Sequence, residues 1–281
     1  MLCALALGAA TACGGSKVQV APPDELYRQA TQDFVDGNYG ISIATYKYLL
    51  DHYPLDPRAE EVELRIAEAH FADGSYAEAI AAFSDFQRMH PTSPRLPEVE
   101  FNIGKAYMAQ MDTIDRDLNA AANAHARFES VILRYPESEY ANRAREELRE
   151  VREHLAAREL YVAEFYLKKG NHAAGRTRVA TLLATYPETD AAREAIALIA
   201  ADARATGDED LAKLADAAFA EAQGANGGGE GATSAPPPHP TQPRAGAAVQ
   251  ALRARLSPNA VASPVQPLSP SRTRPSASQP L

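Results

Sequence analysis

Residues 67–91 read AEAHFADGSYAEAIAAFSDFQRMHP. An apolar run of helical period leads to Asp73-Gly74, a second begins at Tyr76, and Pro91 closes it. Proline lacks an N–H and clashes with the preceding turn, so no helix runs through it. A glycine past one helix and a proline past the next punctuate a two-helix hairpin. The ending recurs: His52-Tyr53-Pro54, Met89-His90-Pro91, Arg134-Tyr135-Pro136 and Thr185-Tyr186-Pro187. Upstream of three of these lie Gly37-Asn38-Tyr39, Gly74-Ser75-Tyr76 and Gly170-Asn171-His172, each glycine 17 residues before its proline. A fixed internal period means one structural unit repeated along the chain.

This reading predicts ten helices, near 24–36, 39–52, 57–72, 76–90, 95–111, 118–134, 138–169, 172–185, 189–205 and 208–221. Extra residues near Met111 to Leu118 enlarge the third turn. Ser138 to Lys169 has neither Gly nor Pro, so one long helix both connects units and opens the fourth. The spacing resembles the tetratricopeptide repeat. Its second unit carries small Ala67, Gly74 at the turn, then Tyr76, Ala79-Ile80, Phe83 and Pro91. The resemblance implies an all-α fold: a right-handed superhelix of five tetratricopeptide-like helix hairpins over 24–221. Such arrays bury a core between neighbours and leave a concave face free.

Composition agrees. The 281 residues include no Trp, and aromatics make up 7%, which favours helices over a sandwich or barrel. The net charge is -9, and it is divided unevenly. Residues 222–281 hold five arginines against the single acid Glu230, so the remainder of the chain carries all the excess acid. A nucleic-acid surface needs clustered Lys/Arg over the folded part and is not expected. The tail 222–281 is rich in Gly, Pro and Ser and is expected to be disordered. Within it, Val249, Leu252 and Leu256 share one helical face beside Arg253 and Arg255. A transient helix in a linker is the expected state, docking on a partner or an acidic surface the other.

Residues 1–12 are apolar and uncharged, too short to span a bilayer. They read as the end of a signal peptide, its basic start missing, so the true start is expected upstream. Ala10-Thr11-Ala12-Cys13-Gly14 resembles a bacterial lipobox, which implies cleavage before Cys13 and acylation of its sulfur. The other reading is an ordinary signal with an incidental cysteine. Residues 13–23 then form a lipidated amino terminus and tether. With Cys3 removed no disulfide can form within the chain.

Catalytic chemistry is not legible. The seven histidines form no metal-ligand spacing, and His52 and His90 stand at helix ends where an imidazole meets terminal carbonyls. Gly227-Gly228-Gly229 lacks the strand and the Lys-Ser/Thr of a phosphate loop. No catalytic residues, metal or cofactor are expected.

An acylated cysteine, a tether and five such repeats resemble the BamD family, the lipoprotein subunit of the outer-membrane barrel assembly machine. The likeness covers about 24–221. It is most specific at Glu25-Leu26-Tyr27 with Gly37-Asn38-Tyr39, at Leu160 to Tyr166 with Lys168-Lys169-Gly170, and at Leu183 to Thr189. It implies a non-enzymatic scaffold on the periplasmic face of the outer membrane, held by its lipid. Its partners would be the barrel-inserting subunit and unfolded outer-membrane proteins. Thr177-Arg178-Val179 matches the place of a family arginine that contacts the barrel-inserting subunit, which points to Arg178. Peptide-clamping repeat proteins place Lys and Asn on first helices; here Tyr27, Thr31, Arg65, Asn102 and Lys105 hold those places. A different periplasmic repeat adaptor, serving cell-wall or envelope complexes, remains the alternative. The family has no such Pro-rich tail, so 222–281 is left unexplained.

Overall fold

The computed structural model describes residues 21–111, 119–226 and 245–256. Among these every regular element is a helix: α1 Pro23–Val35, α2 Tyr39–His52, α3 Ala59–Ala72, α4 Tyr76–Met89, α5 Leu96–Met108, α6 Asn119–Arg134, α7 Glu139–Lys168, α8 His172–Thr185, α9 Asp190–Thr206, α10 Glu209–Asn226 and α11 Ala247–Leu256. They fall into two compact units, 1–110 and 111–281. Cys13, the enlarged third turn at 112–118 and most of the tail lie outside the described residues.

The repeated punctuation has a repeated geometry. Gly37, Gly74, Gly170 and Gly207 all adopt positive φ, between 75° and 78°. Only glycine enters that region without strain. Around Gly37 the chain reverses with Gly37 N donating to Phe34 O at 3.1 Å and Asn38 N to Asp33 O at 2.8 Å. Gly74 repeats the pattern through Phe71 and His70. The Tyr-Pro and His-Pro stops are also alike: Tyr53, His90 and Tyr186 each donate N–H to the residue four back at 2.8 Å before proline ends the ladder.

In the first unit, α1/α2 and α3/α4 are hairpins, and α5 packs on α4. Phe34–Tyr39 and Phe71–Tyr76 are edge-to-face pairs with centroids 5.4 and 5.5 Å apart. These rings therefore staple each hairpin's own turn, whereas Phe83 and Tyr46 are fully buried. Close approach of α1 and α2 is fixed by Ser42, buried, whose hydroxyl donates to Ala30 O at 2.8 Å.

In the second unit, α7 runs 30 residues, a rise of ~45 Å, and packs on α6, α8 and α9. Ser138 caps its start through Tyr140 N; Thr189 caps α9 through Ala192 N. Gly175 of α8 lies against α7 so tightly that a Cβ there would stand 2.5 Å from the Leu167 side chain. The core combines Leu160, Val179, Leu182, Leu183, Ile196 and Ile199 with many alanines.

One expectation is corrected. Of the two readings of 245–256, the transient helix in a linker gives way: α11 is docked, on the chain's own α10 and α8, with Val249, Leu252 and Leu256 buried in the second unit's core. Three apolar anchors on one face suffice once a complementary groove is present, and sequence alone does not display that groove. Helix α10 also continues to Asn226, past the expected end at 221.

Candidate functional site

Two surfaces gather the residues singled out in the sequence. In the first unit, Tyr27 stands on α1 and Arg65 on α3, and Glu61 brings them together. The Tyr27 hydroxyl donates to Glu61 Oε1 at 2.7 Å, and Arg65 Nη2 lies 3.7 Å from the same oxygen. Arg65 Nη1 also donates to Glu68 Oε2 at 2.8 Å. Thr31 hydrogen-bonds the Tyr46 hydroxyl at 2.8 Å, and the Tyr27 and Tyr46 rings meet edge to face at 5.9 Å. Arg58 covers the other side of Tyr27, its guanidinium 4.9 Å from the ring centre.

The electrostatics follow from this packing. Burial, then the hydrogen bond to Glu61, raises the Tyr27 pKa above the ordinary phenol value. Burial raises that of Glu68, with Arg65 opposing. Burial works against the Arg65 charge, but Glu68, Tyr27 and Glu61 together outweigh it and the guanidinium pKa is raised. Arg65 is thus a neutralised cation within an acidic row, not a free one awaiting a peptide carboxylate. Asn102 and Lys105 stand one turn apart on α5, both half-buried. The structure groups Tyr27, Thr31 and Arg65 through Glu61 and Tyr46.

Sequence reasoning missed an apolar groove of about 410 Å³ along α1 and α2, lined by Leu26, Ile41, Ala44 and Tyr48 among others. Ile41 was legible only as an apolar residue off the buried stripe of Ile43, Tyr46 and Leu49.

The second surface is the flank of α8 next to α7. Val179 and Leu182 are buried, which turns Arg178 outward. Its side chain is 46% exposed, and its guanidinium reaches Glu159 Oε2 of α7 at 3.3 Å. Two residues earlier, Arg176 points to the opposite flank and is held by Asp202 and Thr206. The stretch Leu160 to Tyr166 likewise divides: Leu160 and Ala163 face the core, while Tyr161 and Phe165 are exposed, with Arg158 and Lys169 over their rings at 5.8 and 5.9 Å.

The two histidines expected at helix ends differ in their contacts. His52 Nδ1 meets the Tyr48 carbonyl at 2.9 Å as its helix-end position implied. His90 does not: its Nε2 lies 2.6 Å from Glu63 on α3. Among the described residues no group of three or more His, Cys, Asp or Glu is placed to hold a metal. None of the described helices is long and apolar enough to cross a membrane.

A family model described as YfiO, outer membrane lipoprotein, matches residues 19–217. The chain belongs to this family. Its relatives include proteins named outer membrane protein assembly factor BamD. That of Vibrio cholerae is 30% identical over 68% of this chain and 85% of its own length. The one from Pasteurella multocida is 29% identical over 70% and 80%, and the one from Neisseria meningitidis serogroup B 27% identical over 63% and 70%. The YfiO match ends before α11, so this helix is an addition to the part of the chain the family model describes. Among solved structures, a Podospora anserina putative kinesin light chain with TPR-like repeats aligns at TM-score 0.34 and 14% identity, over 74% of this chain and 99% of that one.

Proposed function

We propose that this chain is a non-enzymatic, lipid-anchored scaffold on the periplasmic face of the outer membrane, serving outer-membrane protein assembly. Cleavage before Cys13 would leave an acylated amino terminus, 13–23 a tether, and 24–221 the repeat domain. Family membership over 19–217, with relatives named as assembly factors, carries this reading. The Arg178 flank of α8 docks the barrel-inserting subunit, since an exposed guanidinium with one weak partner is free to fork onto a partner carboxylate. The α1, α3 and α5 surface receives unfolded outer-membrane proteins as extended chain, with Tyr27, Arg65, Asn102 and Lys105 along it. Arg65 brings its own carboxylates, so this surface holds a peptide by hydrogen bonds and rings rather than by clamping a terminus.

Affinity purification of the full-length acylated chain from envelope membranes tests the reading. The barrel-inserting subunit should co-purify. Recovery of a cell-wall or envelope-spanning complex without it would replace this function with that of another periplasmic adaptor.

A further inference from the structure

Helix α11 is held at both ends and along one face. At its start, Glu221 of α10 accepts the Ala248 N–H at 2.8 Å, capping a helix terminus whose N–H groups have no partner within the helix. Gly246 just before it is packed on the same carboxylate: a Cβ there would fall 1.3 Å from Glu221 Oε1. Along its length Val249, Leu252 and Leu256 insert at i, i+3 and i+7. At its end Arg255 lies 3.9 Å from Asp208, in the α9–α10 turn. The remaining positions of α11 are mostly exposed.

This is a helix-in-groove complex written within one chain, and its grip is slight. Three side chains are buried for a segment of twelve described residues. The other buried Glu221 oxygen, Oε1, has no hydrogen-bond partner, so capping leaves a polar atom unsatisfied. Ordering a short segment costs free energy comparable to what so few anchors return. What favours docking is the covalent connection through residues 227–244, which makes it an intramolecular event at an effective concentration in the millimolar range.

We propose that the face of α8 and α10 under α11 is an exchangeable helix-binding groove, with α11 its tethered resident ligand. The partner it fits is a short amphipathic helix of the same chemistry: glycine at the N-cap, apolar residues at the third, sixth and tenth positions after it, and a basic last turn to meet Asp208. Such a helix gains the groove only when α11 leaves, so the tail regulates access. Arg178, on the opposite flank of α8 from Arg176, stays open in either state, which makes the groove a second and separate docking surface.

The probe is a fluorescein-labelled peptide of residues 245–256, titrated into the full-length chain and into full-length Leu252→Asp and Gly246→Val variants. The first variant removes the central anchor; the second drives a side chain into Glu221 without placing charge in the core. Both should bind the peptide about tenfold or more tighter than the wild type, where resident α11 competes. In hydrogen exchange on the wild type, α11 amides should exchange ~100-fold or more faster than those of α8 and α9. Adding Glu221→Lys to either variant should abolish peptide binding. Failure of the peptide to bind both variants while circular dichroism shows α1–α10 intact overturns the groove. Equal binding to wild type and variants, or α11 amides as protected as those of α8, overturns the exchange.

Discussion

Arg176 Nε on α8 lies 2.7 Å from Asp202 Oδ2 on α9, and the other oxygen of that carboxylate meets His172 Nδ1 at 2.5 Å. Asp202 is nearly buried, and Arg176 Nη2 continues to Thr206 at 2.8 Å. One carboxylate therefore joins the second helix of one hairpin to the first helix of the next, on the flank that α11 closes. Removing the carboxylate leaves the Arg176 guanidinium with the longer ionic contact to Asp208 at 3.7 Å; breaking a fully buried pair costs ~3–5 kcal/mol. Arg176 and His172 retain some contact with water, so Asp202→Ala should lose about 2–3 kcal/mol. Urea unfolding followed by circular dichroism measures it; a loss below about 0.5 kcal/mol would place this site with ordinary surface ion pairs.

Two glycines should separate two causes of destabilisation. A Cβ at Gly74 meets nothing within 4 Å, but the backbone there has φ +77°. Gly74→Ala should therefore cost only the left-handed backbone penalty, about 1 kcal/mol, and Gly74→Asn less. Gly175 is helical, and its Cβ would stand 2.5 Å from Leu167 Cδ2 and 3.3 Å from Ala163 O. Gly175→Ala gains helix propensity yet overpacks the α7–α8 contact, for a net loss of about 1–2 kcal/mol. Restoring space with Leu167→Ala in the same chain should recover part of the second loss and none of the first. Thermal melts of the five variants check this.

What was legible in the sequence was what each residue type dictates locally. Glycine at the turn and proline at the stop are backbone demands, and Gly37, Gly74 and Gly170, read as turns, are three of the four glycines with positive φ. The uninterrupted run to Lys169 became a helix of 30 residues for the same reason. Long-range choices were not legible. His90 could be placed at a helix end, but only folding brings Glu63 to it across 27 residues. Arg65 could be placed on a first helix, while its pairing with Glu61 and Glu68 rests on i−4 and i+3 spacings that solvated helix faces share. The three anchors of α11 were seen, but the groove that takes them is built by α8 and α10, which no local pattern announces.

Acid should weaken the first unit at a defined place. Arg58 Nε and Nη2 each donate to a different oxygen of Asp56 at 2.9 Å, and the Arg58 backbone N–H adds a third bond at 2.9 Å. These bonds lower the Asp56 pKa to about 2. An unfolded aspartate titrates near 4, so the folded state favours the ionised form. The stabilisation is complete above about pH 4 and is lost as pH falls through about 2. Arg58 also pairs with Asp24 at 2.8 Å and covers Tyr27, so the loss loosens α1 as well as the α2–α3 turn. Asp56→Asn should lower the urea midpoint at pH 6 and flatten its decline between pH 4 and 2. An unchanged acid limb in that variant would assign the decline to other carboxylates.

The Arg178 proposal turns on separating folding from binding. Its partner in the chain, Glu159, lies at the long end of hydrogen-bond range, and its side chain is 46% exposed. An exposed pair of this kind contributes ~0–1 kcal/mol, so Arg178→Ala should unfold at nearly the wild-type urea concentration. Arg178→Glu sets two carboxylates facing each other on the surface and should cost little more. Binding responds differently if a partner carboxylate takes the guanidinium fork. Truncation then leaves that carboxylate unpaired, and charge reversal repels it, for about 2–5 kcal/mol in affinity. Arg178→Lys keeps the charge but not the fork, and should fall between. Glu159→Gln supplies the control, because it removes the carboxylate that faces Arg178 within the chain and should hold or improve affinity. Titration of the barrel-inserting subunit's periplasmic domain against the four variants decides the matter. Should Arg178→Glu bind as the wild type does while folding normally, the docking surface lies elsewhere.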